Sequence, residues 1–278
     1  NDAPVVEDSS VSTNEDEVLL IDLNPFGSDV DGDPITFTIV SGSTDGAINL
    51  DNATGIATYT PDSEFNGEDS FTFNASDGLL TSEDPPGVIT INVLYQNDPP
   101  ILDNIVDFDF DEDETETIIV SADDADGDDL TYSCSQGQNI TCTPDPNNTN
   151  ELTFVSDPDW NGTETITVTV DDGVRAVDTQ EVDVTVNPIN DSPETNPVAT
   201  TTNEEQLVAI TLDGTDIDGD AITYTLQTQP ENGELSNFDA NNGTVDYAPD
   251  ADFNGEDTFT YIANDSILNS NISTVTVT

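Results

Sequence analysis

Three short acidic loops carry most of the chemistry this chain could do. Asp29-Val30-Asp31-Gly32-Asp33, Asp124-Ala125-Asp126-Gly127-Asp128 and Asp216-Ile217-Asp218-Gly219-Asp220 each lie just ahead of an alternating apolar run. Carboxylates spaced this closely repel one another, so they are either simply solvated or share a cation. A hard cation such as calcium takes about six to eight oxygen ligands, largely carboxylate and carbonyl. The pattern reads as calcium ligation, with a solvated, salt-adapted acidic surface as the alternative.

Composition narrows the field. The chain has 278 residues, 60 of them acids, with one Arg (Arg175), no Lys and no His, for a formal charge of −59. Such a chain repels nucleic acid and anionic membrane surfaces, and its self-repulsion calls for bound cations or high salt. Without His there is no His-based triad, His zinc site or imidazole base. Two cysteines cannot form a four-thiolate site, and no Gly-rich phosphate loop is present. Carboxylate-pair glycoside chemistry is the one enzymatic option left, but among so many acids two neighbours are no evidence for it. The expectation is a protein that is not an enzyme. No apolar run approaches membrane-span length, no signal peptide is visible and there is no initiator Met. The sequence reads as a mature or internal portion of an exported protein.

The elements that position the acids repeat. Asn1-Asp2, Asn97-Asp98 and Asn190-Asp191 each precede x-Pro, at spacings of 96 and 93 residues. Phe65-Asn66-Gly67, Trp160-Asn161-Gly162 and Phe253-Asn254-Gly255 keep the same phase, as do Asp77, Asp172 and Asp265. The units expected are 1–96, 97–189 and 190–278, each of ordinary domain size. Within a unit the period is two. Ile35-Thr36-Phe37-Thr38-Ile39, Ile166-Thr167-Val168-Thr169-Val170 and Ile222-Thr223-Tyr224-Thr225-Leu226 alternate apolar residues with Thr, as half-buried strands do. About seven such strands per unit, separated by Asn, Asp, Gly and Pro turns, predict an all-β fold of three tandem Greek-key β-sandwiches. Phe65, Trp160 and Phe253 are expected to begin a core strand, with a sugar-stacking role for Trp160 as the alternative. The linkers are short, acidic and stiffened by proline. Cys134 and Cys142 bracket a hairpin and are expected to pair, as cysteines in exported domains usually do; two free buried thiols are the other reading.

Those motifs together resemble cadherin repeats. Ser121 to Ser133 is similar to the cadherin segment that carries the Asp-x-Asp ligands into a strand. Ala75-Ser76-Asp77-Gly78 resembles the cadherin A-x-D-G stretch, and Asn97-Asp98 with Pro100 the end of the interdomain linker D-x-N-D-N-x-P. Phe65-Asn66-Gly67-Glu68-Asp69 looks more like the cadherin-like repeats of large bacterial or archaeal surface adhesins. The resemblance covers nearly the whole chain. It implies a cadherin-like, Ig-like sandwich array that is elongated, with calcium held where consecutive repeats meet.

Carried over residue by residue, the first junction would use Glu15, Asn97, Asp98, Asp124, Asp126 and Asp172. The second would use Glu112, Asn190, Asp191, Asp216, Asp218 and Asp265. Asp16 and Asp113 are alternatives to Glu15 and Glu112, since the acidic runs blur the register. Asn1, Asp2, Asp29, Asp31 and Asp77 would form half a site, and Glu204 the opposite half of another. Two departures stand out. Tyr95 and Pro188 occupy the place of the first linker Asp, and no L-D-R-E motif is recognisable, although Glu64, Asp159 and Asp252 fall near its position. An EF-hand comparison fails, because the twelfth loop position is Val40, Ser135 or Gln227. The implied function is a calcium-rigidified stalk, spacer or fibre at the cell surface, acting within a longer series whose partners are neighbouring repeats or head-to-tail copies. A module that binds a glycan or a cell-surface protein is the alternative. Sequons at Asn52, Asn139 and Asn161 matter only in a glycosylating host.

Overall fold

The computed structural model describes residues 1–147 and 150–278. The chain divides into two compact units, and the middle repeat contributes residues to both. The first unit comprises Asn1–Asn104, Val120–Ser133 and Val168–Gln180; the second comprises Ile105–Ile119, Cys134–Thr167 and Glu181–Thr278.

In the first unit, the leading repeat forms β1 (Val5–Val6), β2 (Ser9–Asn14), β3 (Leu19–Asp22), β4 (Gly27–Ser28), β5 (Thr36–Ser41), β6 (Gly46–Asp51), β7 (Ile56–Pro61), β8 (Gly67–Ser76) and β9 (Gly87–Leu94). The sheet orders are β2-β9-β8-β5 and β3-β7-β6, with β1 and β4 as a separate short pair. Seven principal strands in two sheets make the expected sandwich. β2 runs parallel to β9, from Ser9 opposite Ile89 to Asn14 opposite Leu94; the other pairings are antiparallel. Alternation does the packing: Phe71, Phe73 and Ala75 of β8 and Ile89, Ile91 and Val93 of β9 point inward with Ile21, Phe37 and Tyr59. Burying side chains of this size stabilises by about 1.5–3 kcal/mol each before conformational entropy is counted.

The second unit contains the last repeat, built the same way. Its sheets are Val198–Thr200, Ser273–Val277, Asp257–Asn264 and Thr223–Leu226 in that order, and Val208–Thr211, Thr244–Pro249 and Gly233–Asp239. Ile210, Tyr224, Val245, Tyr247, Phe259, Tyr261 and Val275 fill the core. The same unit holds the pairings Thr115–Ile119 with Glu151–Ser156 and the latter with Ile140–Pro144, both antiparallel. Cys134 and Cys142 are disulfide-bonded.

Phe65, Trp160 and Phe253 do not begin strands. They are half-buried in the turn before one, and the following strands start at Gly67, Gly162 and Asp257. The glycine explains the difference. Gly162 has φ +152°, and a Cβ there would come within 2.8 Å of the Trp160 ring, so the aromatic folds back over the turn instead of entering the sheet.

Candidate cation centres

Two acidic centres form, one wholly within each unit. In the first unit, Asp16, Glu64 and Asp98 bring carboxylate oxygens within 4.8 Å of one another, and so do Asp124, Asp126 and Asp128. The linker threads between them. The Asp98 N–H donates to Asp126 Oδ2 at 2.8 Å, and the Asn97 amide donates to Asp172 Oδ2 at 2.6 Å. Glu15 is 3% exposed; it accepts the Gln96 N–H on Oε1 and the Asn66 amide on Oε2 at 3.1 Å. Asp16 and Glu64 reach the cluster from left-handed backbone, φ +56° and +59°, a conformation that costs a non-glycine residue about 1 kcal/mol or more.

The second unit repeats the linker contacts, but among the described residues its Asp216–Asp218–Asp220 loop does not form a second three-acid cluster. Asp113, Asp159 and Asp191 converge within 4.8 Å, with Asp113 and Asp159 at φ +62° and +56°. The Asp191 N–H donates to Asp218 Oδ2 at 2.8 Å, and the Asn190 amide to Asp265 Oδ2 at 2.9 Å. Glu112 is 2% exposed, and its Oε1 accepts the Ile189 N–H at 2.7 Å. Asp216 Oδ1 accepts the Asp220 N–H, closing the loop as Asp124 does for Asp128.

At the N-terminal end the motif is present on the following-repeat side. The Asn1 amide donates to Asp77 Oδ2 at 2.6 Å, the Asp2 N–H to Asp31 Oδ2 at 2.7 Å, and Asp29, Asp31 and Asp33 cluster. Glu204 is exposed, and among the described residues it joins no such group.

The electrostatics divide these acids into two kinds. Asp172 is held down at about 2, first by the Asn97 amide and then by the N–H groups of Val174, Arg175 and Ala176, no one of which alone offsets the burial penalty. Asp265 is lowered in the same way, led by Asn190, and Asp77 by the Leu80 N–H and then Asn1. These are anchors with their charge already satisfied. Four of the converging acids behave oppositely. Burial, then the charges of Asp16 and Asp98, pushes Glu64 up. Burial followed by Asp126 raises Asp98, burial followed by Asp124 raises Asp128, and burial followed by Asp159 raises Asp191. Carboxylates raised by desolvation and by one another are under-neutralised.

Their oxygens agree. Glu64 Oε2, Asp124 Oδ2 and Asp128 Oδ2 in the first centre are shielded from solvent and have no hydrogen-bond partner; so are Glu112 Oε2, Asp191 Oδ2 and Asp216 Oδ2 in the second, and Asp29 Oδ2 at the N-terminal end. Buried polar atoms are almost always paired. An all-oxygen set of shielded, unpaired carboxylates fits a hard divalent cation.

The structure thus joins Glu64 to Asp98 and Asp124 to Asp126 in clusters, with Asp126 and Asp172 holding the linker residues Asp98 and Asn97; in the second centre Asp159 meets Asp191, and Asp218 and Asp265 hold Asp191 and Asn190. It adds the third loop acid, Asp128, to the first cluster and Asp33 to the N-terminal one. The third Asp of the repeated motif was the available signal for both.

The chain belongs to the bacterial Ig domain family, whose model matches residues 1–91, 97–185 and 190–278. Its fold is similar to that of cadherin repeats. Mouse cadherin-23 repeats EC22-24 match with TM-score 0.52 and 20% identity over 100% of this chain and 99% of that one. Human CDH23 EC21-23 matches with TM-score 0.50 and 16% identity over 99% and 100%. Protocadherin gamma B2 cadherin domains 1-5 match with TM-score 0.55 and 16% identity over 99% of this chain, which spans 59% of that one. No curated protein matches in sequence.

Proposed function

We propose that the chain is a non-catalytic structural or adhesive array outside the cell, in which calcium ions order the meeting points of successive repeats. The observation that carries this reading is Glu112: a carboxylate 2% exposed, anchored by one oxygen beneath the linker, with the other oxygen unpartnered beside the Asp113–Asp159–Asp191 cluster. An uncompensated buried carboxylate costs several kcal/mol, and a divalent cation offsets that cost. Each centre draws acids from one repeat, the linker and the next repeat. A bound cation would supply charge neutralisation and a bridge among them. Asp126 and Asp218 hold the linker N–H groups in place, and Asp172 and Asp265 orient the linker asparagines.

Hydrogen exchange tests this directly. The amides of Gln96, Asp98, Ile189 and Asp191 should exchange at least about tenfold faster in chelator than in millimolar calcium, while core amides of β8 and β9 change little. Equal exchange in both conditions would refute ordering by calcium.

A second reading rests on Trp160. It is half-buried in a shallow hollow with Gln136, Gln138 and Thr163, where an exposed ring face would stack on a sugar. Glycan-array binding lost in Trp160→Ala would support it.

A further inference from the structure

The ligating acids of the two centres stand at matching positions. Their prior hydrogen bonding differs. Both oxygens of Glu15 are engaged, one by the Gln96 N–H and one by the Asn66 amide. Glu112 has only the Ile189 N–H on Oε1; its Oε2 is free although the residue is 2% exposed.

The linkers differ too. Tyr95 places a phenol in the first centre, its hydroxyl donating to Asn97 Oδ1 at 3.3 Å. Pro188 stands at the corresponding position of the second linker and has no donor. The free oxygens also differ in origin. In the second centre they come from Glu112, from Asp191 of the linker and from Asp216 of the following repeat. In the first they come from Glu64, Asp124 and Asp128, with none from the linker.

A carboxylate oxygen already accepting a hydrogen bond must give up or share it to ligate a cation. The first centre starts with more such bonds and without a free linker oxygen. Resting on the cation reading above, we infer that the two centres are unequal and fill in sequence: the Glu112 centre takes calcium first, and the Glu15 centre follows at about tenfold higher concentration, the effect of roughly one net hydrogen bond. Tyr95 and Asn66 are the residues that set the gap. They make ordering of the two linkers a graded response to calcium instead of a single switch.

Calorimetric titration of the calcium-stripped chain with calcium chloride tests this. The expected result is two phases, with Asp191→Asn abolishing the tight one and Asp98→Asn the weak one. Tyr95→Phe and Asn66→Ala remove no carboxylate; each should tighten the weak phase severalfold and leave the tight phase in place. One phase with equal sites, loss of the tight phase in Asp98→Asn, or no response to either Tyr95→Phe or Asn66→Ala would overturn the inference while leaving cation binding intact. No calcium uptake by the unsubstituted chain would overturn the cation reading itself, and this inference with it.

Discussion

Asp126 does two jobs: its Oδ2 accepts the Asp98 N–H, and it belongs to the Asp124–Asp126–Asp128 cluster. Asp126→Ala should therefore weaken calcium uptake at the first centre by at least tenfold and speed exchange of the Asp98 amide, leaving the Asp191 amide unchanged; equal loss at both linkers would contradict the assignment. A second test uses backbone strain. Glu64 and Asp252 occupy matching left-handed positions, both at φ +59°, but among the described residues Glu64 joins a cluster and Asp252 does not. Asp252→Gly should stabilise its repeat by up to about 1 kcal/mol, as read by thermal melting. Glu64→Gly should bring a similar relief but forfeit cation binding. At this scale the Asp-x-Asp loops were legible because three copies in phase leave little to chance. The roles of Asp16 and Asp113 were not. They depend on a left-handed turn that no glycine announces, and within Asn14-Glu15-Asp16-Glu17 charge alone does not say which acid faces the linker.

Among the elements, alternation made the strands and their inward faces legible, since Thr-rich period-two segments bury one side only. A set of loop anchors escaped notice. Asp69, near the start of β8, is 4% exposed and accepts the N–H of Thr44 and Asp45 and the Tyr59 hydroxyl. Asp257 does the same for Glu231, Asn232 and Tyr247. In the middle repeat Phe154 replaces the tyrosine, and the longer Glu164 gathers the N–H groups of Gln138, Asn139 and Ile140. One acid in so acidic a chain carries no sequence mark; only its burial does. Burial disfavours the Asp69 and Asp257 charges, but the hydrogen bonds outweigh it and both pKa values lie below the ordinary 3.8. The same hydroxyl contact, after burial, pushes Tyr247 up to about 12. A depressed carboxylate stabilises the fold fully above its unfolded value, and that stability is lost as pH falls through the folded one. Stability should thus decline below about pH 4. Asp257→Asn should lower the melting temperature at neutral pH and flatten that acid limb; an unchanged limb would assign the acid sensitivity elsewhere.

For the whole molecule the dominant fact is a charge of −59 against a single Arg. Self-repulsion of that size is screened by any salt, whereas under the proposed function the shielded carboxylates of the two centres take up a cation that fits them. Millimolar calcium should raise the melting temperature well beyond sodium chloride at the same ionic strength, and the excess should shrink in Asp98→Asn combined with Asp191→Asn. Equal effects of the two salts would favour the purely solvated acidic surface.

The parallel pairing of each repeat's early strand with its last bears on how the chain responds to load. Tension between the two ends of a repeat pulls these partners past each other, so their rungs resist together in shear instead of opening one at a time. Six residue pairs join β2 to β9, four join Phe108–Asp111 to the strand ending at Asn187, and three join Val198–Thr200 to Val275–Val277. Beyond those last three pairs the Thr278 N–H donates to Thr200 O and the Thr202 N–H to Thr278 O, as the Glu112 N–H does to Asn187 O in the middle repeat. Forced unfolding reads barrier height directly, so single-molecule pulling should find the first repeat yielding at a higher force than the other two.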